Sequence, residues 1–378
     1  MREDWETKRW GEVLEIRSGR NQKEVLNPNG KYPIMGSAGK IMGYADSYIC
    51  EAGTTIIGRK GTINNPLFIE ERFWNVDTAF GLHTLENLDK NFLHYFCLSF
   101  DFTQLDKGSG RPSLVKSDLL KIKIPIPPLP EQQQIVTLLD EAFEAIDQAK
   151  ANIEKNIENA KELLQSKINE VFSQKGEGWE ERILGEVVNV IGGGTPSKKV
   201  EKYYNGDIPW ATVRDMNLDK LSITDHKITK LGLKESSANI IPKEHIIIAT
   251  RVGLGKVCIL EQDTAINQDL KGLIPKSKYD ILNDFIFWWY KSIAYKVVGA
   301  GTGATVQGVK LPFVKSLTFP LTSKEEQVRV VNVLNKFSMD VENLELKYSQ
   351  KLVVLEELKK SILQKAFAGE LTNKTVEI

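Results

Sequence analysis

The chain has 378 residues with 41% hydrophobic content, which marks a soluble globular protein long enough for two or three domains with cores of their own. Its 50 Lys and Arg balance 50 Asp and Glu, and this excludes any function that holds a polyanion by charge surplus alone. No apolar run is long enough to span a membrane, Met1-Arg2-Glu3-Asp4 lacks signal-peptide character, and Cys50, Cys97 and Cys258 are too scattered for a disulfide framework or a CxxC metal site, so a cytoplasmic chain with reduced core thiols is expected.

Residues 1 to about 123 read as short strands and turns. Gly-rich punctuation (Asn29-Gly30, Gly36, Gly39, Gly43, Gly53, Gly58, Gly61) separates β-prone runs such as Thr54-Thr55-Ile56-Ile57. A helix-like aromatic stretch lies near 91–98. The run Ile124-Pro125-Ile126-Pro127-Pro128-Leu129-Pro130 reads as a stiff extended linker. From Glu131 the apolar residues Ile135, Leu139, Ala142, Ile146, Ala149, Ile153, Ile157, Ala160, Leu164, Ile168 and Val171 recur with a mean step of 3.6, and no Pro or Gly interrupts before Gly176. That is one stripe on one helix, on the order of 60 Å long.

The second half repeats the first. Trp5-Glu6 with Gly11-Glu12-Val13 returns as Trp179-Glu180 with Gly185-Glu186-Val187, at an offset of 174. Phe92 and its aromatic neighbours return from Phe285, and Gly108-Ser109-Gly110 returns as Gly301-Thr302-Gly303, at an offset of 193. Glu131-Gln132 returns as Glu326-Gln327 and Phe172 as Phe367, at an offset of 195. Nearly all the added length therefore lies between about Ile191 and Ile247. A second stripe runs through Val330, Leu334, Phe337, Val341, Leu344, Tyr348, Leu352, Leu355, Leu358, Ile362 and Ala366. Two such helices most simply bury their stripes against each other.

The predicted fold class is mixed α/β: two similar globular domains separated by two long helices that pair as an antiparallel coiled coil with pseudo-twofold character. The expected division is 1–130, a first globular domain; 131–175, a central helix; 176–323, a second globular domain; and 324–378, a C-terminal helix and tail.

Catalytic constellations are missing. Gly255-Lys256 and Gly39-Lys40 do not complete a phosphate loop, and His83, His94, His226 and His245 form no HExxH. No GxSxG elbow occurs. Ile191-Gly192-Gly193-Gly194 lacks dinucleotide-loop spacing and reads as a turn that lets backbone approach something closely. Asn65-Pro66-Leu67-Phe68 lacks the second proline of the amino-methyltransferase motif. The sequence looks non-catalytic.

With the repeat in view, the chain resembles the specificity subunits of type I restriction-modification systems over nearly its whole length. The two Trp-Glu runs resemble the start of each target-recognition domain, and Ile191-Gly192-Gly193-Gly194-Thr195-Pro196-Ser197-Lys198 resembles the family's first recognition loop. Ile208-Pro209-Trp210, Asn267-Gln268-Asp269, the passages 125–136 and 320–331, and Ala366-Phe367-Ala368-Gly369-Glu370-Leu371 also match. In the first copy Ile16-Arg17-Ser18-Gly19-Arg20 replaces the Gly-Gly-Gly-Thr-Pro loop. The resemblance implies a non-catalytic DNA reader whose two domains each read one half of a split double-stranded target. It implies two methyltransferase subunits and restriction subunits as partners. The long helices would set the gap and dock the methyltransferases. The resemblance places methylation at adenine N6, and it assigns S-adenosylmethionine, ATP and Mg to the partner subunits, with no cofactor in this chain.

Polar and basic residues in Gly-rich loops are the candidate DNA contacts, since backbone there can approach phosphate and side chains can reach base edges. In the first half these are Arg17, Arg20, Lys23, Ser37, Arg59, Lys60 and Arg111. In the second they are Thr195, Ser197, Lys198, Arg214, Arg251, Thr302 and Gln307. Arg251 aligns with Arg59, which suggests shared backbone positioning. The aromatic run Phe285-Ile286-Phe287-Trp288-Trp289-Tyr290 recurs in helix-like context and reads as core rather than base-stacking surface. The competing reading is a coiled-coil scaffold without DNA specificity, which zero net charge favours.

Overall fold

The computed structural model describes residues 2, 4–303 and 307–372; Met1, Glu3, 304–306 and the end of the predicted tail, 373–378, lie outside the described residues. The chain forms two compact units, Met1–Glu154 with Ser349–Ile378, and Lys155–Tyr348.

In the first unit the strands are β1 (Glu6–Arg9), β2 (Leu14–Ser18), β3 (Tyr32–Met35), β4 (Ile41–Ala45), β5 (Thr54–Gly58), β6 (Leu67–Ile69), β7 (Trp74–Asn75), β8 (Ala79–Thr84) and β9 (Lys123–Ile126). The helices are α1 (Trp10–Val13), α2 (Lys90–Ser99), α3 (Lys116–Leu119) and the first part of α4 (Leu129–Ser173). They build a sheet ordered β2-β8-β5-β6, a second ordered β4-β3-β7, and a β1-β9 ladder. Most of the Pro-rich passage read as a linker is used otherwise. Pro125 pairs opposite Thr7 in β9, which a two-stranded ladder tolerates because it has two open edges, and Pro130 falls in the first turn of α4.

The second unit contains β10 (Glu180–Ile183), β11 (Val188–Gly192), β12 (Tyr204–Ala211), β13 (Lys220–Leu221), β14 (His226–Ile228), β15 (Asn239–Ile241), β16 (Ile246–Ala249), β17 (Val257–Leu260), β18 (Thr264–Ile266), β19 (Leu270–Pro275) and β20 (Thr318–Leu321). Its helices are α5 (Leu184–Val187), α6 (Lys230–Lys234), α7 (Asn283–Gly299), α8 (Leu311–Ser316) and part of α9 (Lys324–Ala368). The sheets are β11-β19-β16-β17-β13, β14-β12-β18-β15 and β10-β20. Removing the edge strands β13 and β15 leaves the topology of the first unit. Both lie between Ile191 and Ile247, where the offset grows.

Each core receives the start of one long helix and the end of the other. Ile135, Leu139, Leu363 and Phe367 are buried in the first unit; Val330, Leu334, Ile168 and Phe172 are their counterparts in the second. Beyond those ends the helices pair. In the first unit Lys150 meets Glu356, and Lys359 lies 3.4 Å from Asp147 and over the Phe143 ring. In the second Lys161 is 3.7 Å from Glu345. Partner numbers fall as α4 advances, so the helices run antiparallel within each unit. Leu344 of the stripe lines a groove with Asn156, Ala160 and Leu163 of α4, whereas Leu358 is exposed and the neighbouring Lys359 turns toward α4.

The aromatic run on α7 is core, with Phe285 through Tyr290 all buried. Burial also encloses all three thiols and pushes Cys50 and Cys258 up to about 12. Among the described residues no helix is long and apolar enough to cross a membrane.

Candidate nucleic-acid interface

Parallel neighbouring strands deliver their following loops to the same side, and both units use this. In the second unit β12 and β18 pair in parallel, Trp210 beside Ala265 and Ala211 beside Ile266. They release Thr212-Val213-Arg214-Asp215 and Asn267-Gln268-Asp269 side by side. The end of β11 joins them, where Gly194 N donates to Ile266 O at 2.9 Å. A Cβ on Gly193 would stand 2.1 Å from Asn267 O, so the Gly-rich loop exists to let two backbones touch. The end of β16 also arrives, with Thr250 N and Oγ1 both donating to Asp269 O.

Together these loops line a cleft of about 870 Å³. Thr195, Lys198 and Arg214 are in its wall, with Trp210, Asp225, His226, Val252, Gln268 and Asp269. Thr195 Oγ1 donates to Gln268 Oε1, and Arg251 stands 3.5 Å from Asp269. Thr302 pairs with Gly308, which also bridges to Arg251, and Gln307 O accepts from Val252 N. Ser197 is exposed on the same loop as Lys198. Val252 holds a left-handed backbone at φ 49°, an unfavourable conformation for a β-branched side chain, at the cleft edge.

The first unit repeats the arrangement. β3 and β7 pair in parallel and release the Gly36–Lys40 turn and Val76-Asp77-Thr78 together. Arg20 N donates to Asn75 O, and Arg59 N and Lys60 N donate to Thr78 O. Gly19 takes the part of Gly193, since a Cβ there would lie 1.8 Å from Val76 O. Ser37 and Thr78 share a concavity of about 460 Å³ with Ala38, Lys40, Ile41 and Met42. Lys60 bridges to Ser113, and the Arg111 guanidinium lies over Gly61. Thus Arg20, Ser37, Arg59, Lys60 and Arg111 come together.

Arg17 and Lys23 are placed differently. Arg17 sits within β2 and is held by Glu15 at 3.2 Å and Ile49 O at 3.0 Å. Lys23 is exposed in the long loop before β3, its N–H on Asn21 Oδ1.

The centre of each cluster was absent from the candidate residues. Asn75 and Asn267 are buried, and with the carbonyls of Thr78 and Asp269 they organise the surrounding loops. The signal was available, because Asn75-Val76-Asp77 and Asn267-Gln268-Asp269 recur at a fixed offset. A second motif is invisible in sequence. Trp74 Nε1 donates to Arg20 O and Trp210 Nε1 to Gly194 O, equivalent carbonyls reached from different strands. Each parallel pair carries one tryptophan, on β7 in one unit and β12 in the other.

Among the described residues no group of three or more His, Cys, Asp or Glu is placed to hold a metal ion. The profile of the type I restriction modification DNA specificity domain matches residues 2–159 and again 176–352. The chain is 34% identical over 233 residues to the EcoR124I/EcoR124II specificity subunit of Escherichia coli, covering 57% of this chain and 55% of that one. It is 30% identical over 170 residues to the MjaIX specificity subunit of Methanocaldococcus jannaschii, covering 44% of this chain and 39% of the relative. The chain thus spans between about two fifths and just over half of those relatives. The MjaVIII specificity subunit of the same archaeon aligns at 24% identity over 99% of this chain and 94% of its own length. In fold, the chain matches one from a structural study of complex assembly in the type I R-M system, with a TM-score of 0.77, 20% identity and coverage of 98% and 99%. The HsdS subunit of Thermoanaerobacter tengcongensis matches at a TM-score of 0.59, with 20% identity and 98% of each chain covered. Two matched copies of one specificity domain, on two units of one topology, place this chain in the family of type I restriction-modification specificity subunits.

Proposed function

We propose that this chain reads a split double-stranded DNA target, one half with each unit, in the cytoplasm and without catalysis of its own. The observation that carries the reading is the loop cluster built twice on one frame with different side chains. A shared frame suits the shared task of gripping a duplex, and different side chains suit two different half-sites. Zero net charge implies that partners supply part of the attraction to phosphate. The partners proposed are two methyltransferase subunits, with restriction subunits when the complex cuts. They hold S-adenosylmethionine, ATP and Mg, and the methylated atom is adenine N6. Leu346, Val353 and Val354, apolar yet exposed on α9, support partner docking along that helix.

The test is to co-express the chain with its methyltransferase and map adenine methylation by single-molecule sequencing. A chain-dependent, split, asymmetric motif is expected. A stable complex that retains S-adenosylmethionine binding yet methylates nothing in a chain-dependent way favours the scaffold, the reading that zero net charge supports.

A further inference from the structure

We propose that the cleft of the second unit reads a guanine, and that Arg214 is the side chain that reads it; this rests on the chain being a DNA reader. The position of Arg214 in the frame is the first argument. Thr212–Asp215 follows β12 as Gly36–Gly39 follows β3, at the offset of 176 that also relates Pro33 to Pro209. Ala38 therefore stands where the second unit has Arg214. The ladders correct the alignment of Arg59 with Arg251: Lys60 bridges to Ser113 as Arg251 bridges to Gly308, and a basic residue common to both units cannot tell one half-site from the other. A feature that differs at one frame position can.

The second argument is how the arginines are held. Arg251 is drawn to Asp269, and Arg59 donates to Asp77 O and lies over the Phe80 ring. The Arg214 guanidinium has no partner among the described residues. Its backbone, by contrast, is fixed. Asp215 Oδ2 accepts from Thr212 N at 2.7 Å and Thr212 Oγ1 at 2.8 Å, and Asp215 Oδ1 accepts from Asp225 N at 2.7 Å. Thr212 Oγ1 accepts from Arg214 N, and Asn217 Nδ2 donates to Arg214 O at 2.7 Å. A free fork of donors on a clamped turn is preorganised for a ligand with two adjacent acceptors.

The third argument separates base from phosphate. In the cleft Asp225 and Asp269 offset Lys198 and Arg251, so Arg214 stands in no surplus of positive charge that would hold a phosphate. Guanine N7 and O6 in the major groove present two neutral acceptors that match the guanidinium fork, and such a pair gives about 10- to 100-fold discrimination.

The experiment uses the complex co-expressed with its methyltransferase and compares methylation maps of wild type, Arg214→Gln and Arg251→Gln. The wild-type motif is expected to contain a guanine in one half. Arg214→Gln is expected to relax the preference at that position alone by about 10- to 100-fold, with the other half unchanged. Arg251→Gln is expected to lower methylation without altering the motif. A motif with no guanine, or an Arg214→Gln map that keeps every guanine requirement, overturns the proposal. If Arg214→Gln methylates nothing, binding of duplexes with 7-deazaguanine at each motif guanine decides: a loss in wild type at one position, absent in Arg214→Gln, supports the proposal, and no such loss overturns it. A wild-type complex with no split motif refutes the underlying DNA-reader function instead.

Discussion

Gln132 and Gln327 perform one task in the two units. Each is buried at the start of a long helix, and its amide closes three hydrogen bonds to the loop beside it. Gln132 donates to Asn87 O and Pro127 O and accepts from Asp89 N. Gln327 donates to Asp280 O and Thr322 O and accepts from Leu282 N. The repeat of Glu-Gln was legible in sequence, but helix-dipole charge explained only the glutamate, and nothing in the pattern marks the glutamine as the buried member. Replacing Gln132 with Ala orphans three backbone groups and is expected to cost about 1–3 kcal/mol in denaturant unfolding, while exposed Gln133→Ala stays within about 0.5 kcal/mol. The exchanged tryptophans, Trp74 and Trp210, were unreadable for a related reason. A contact made from either of two paired strands leaves no fixed spacing in the chain.

At the scale of elements, the long helices were the most legible feature, because a stripe of period 3.6 over ten steps admits one conformation. Their limits were less so. The Pro-rich passage conceals a strand, since Pro125 suits an edge that donates no hydrogen bond there. Leu358 fits the period yet stays exposed, because the stripe drifts around a long helix and the Lys359–Asp147 pair fixes a different register there. The facing residues give a design for testing the helices as a spacer. Removing 151–154 from α4 together with 352–355 from α9 preserves the antiparallel pairing and shortens the pair by about 6 Å. Methylation mapping is then expected to return the same two half-sites with a smaller gap. Changed half-sites with an unchanged gap would contradict the spacer role.

At the scale of the whole molecule, the repeat announced two units of one frame, and the growth in offset located the strands that distinguish them. The family resemblance also brought 366–371 into the reading, but not the contacts that tie them down. Acid acts on the first unit through two of its histidines. Burial pushes His83 and His94 of the first unit down to about 4 from 6.5, so the folded chain holds them neutral where the unfolded chain takes up protons. Stability from this source is complete above about pH 6.5 and falls with acidification toward pH 4, by at most about 1.4 kcal/mol per pH unit for each histidine. Melting curves between pH 7 and 5 are expected to show that fall, and His94→Phe is expected to flatten it. The first unit is also the discontinuous one. Phe367 packs against Phe92 and Phe96, and Thr372 and Arg2 meet on Glu131. On the ribosome, therefore, the unit translated first cannot finish folding until the end of the final helix has emerged, whereas the contiguous second unit needs only that helix's first part, to Tyr348. A premature stop within that helix beyond Tyr348 spares the later-encoded unit and leaves the earlier one with its aromatic pocket bare, a ready ligand for chaperones.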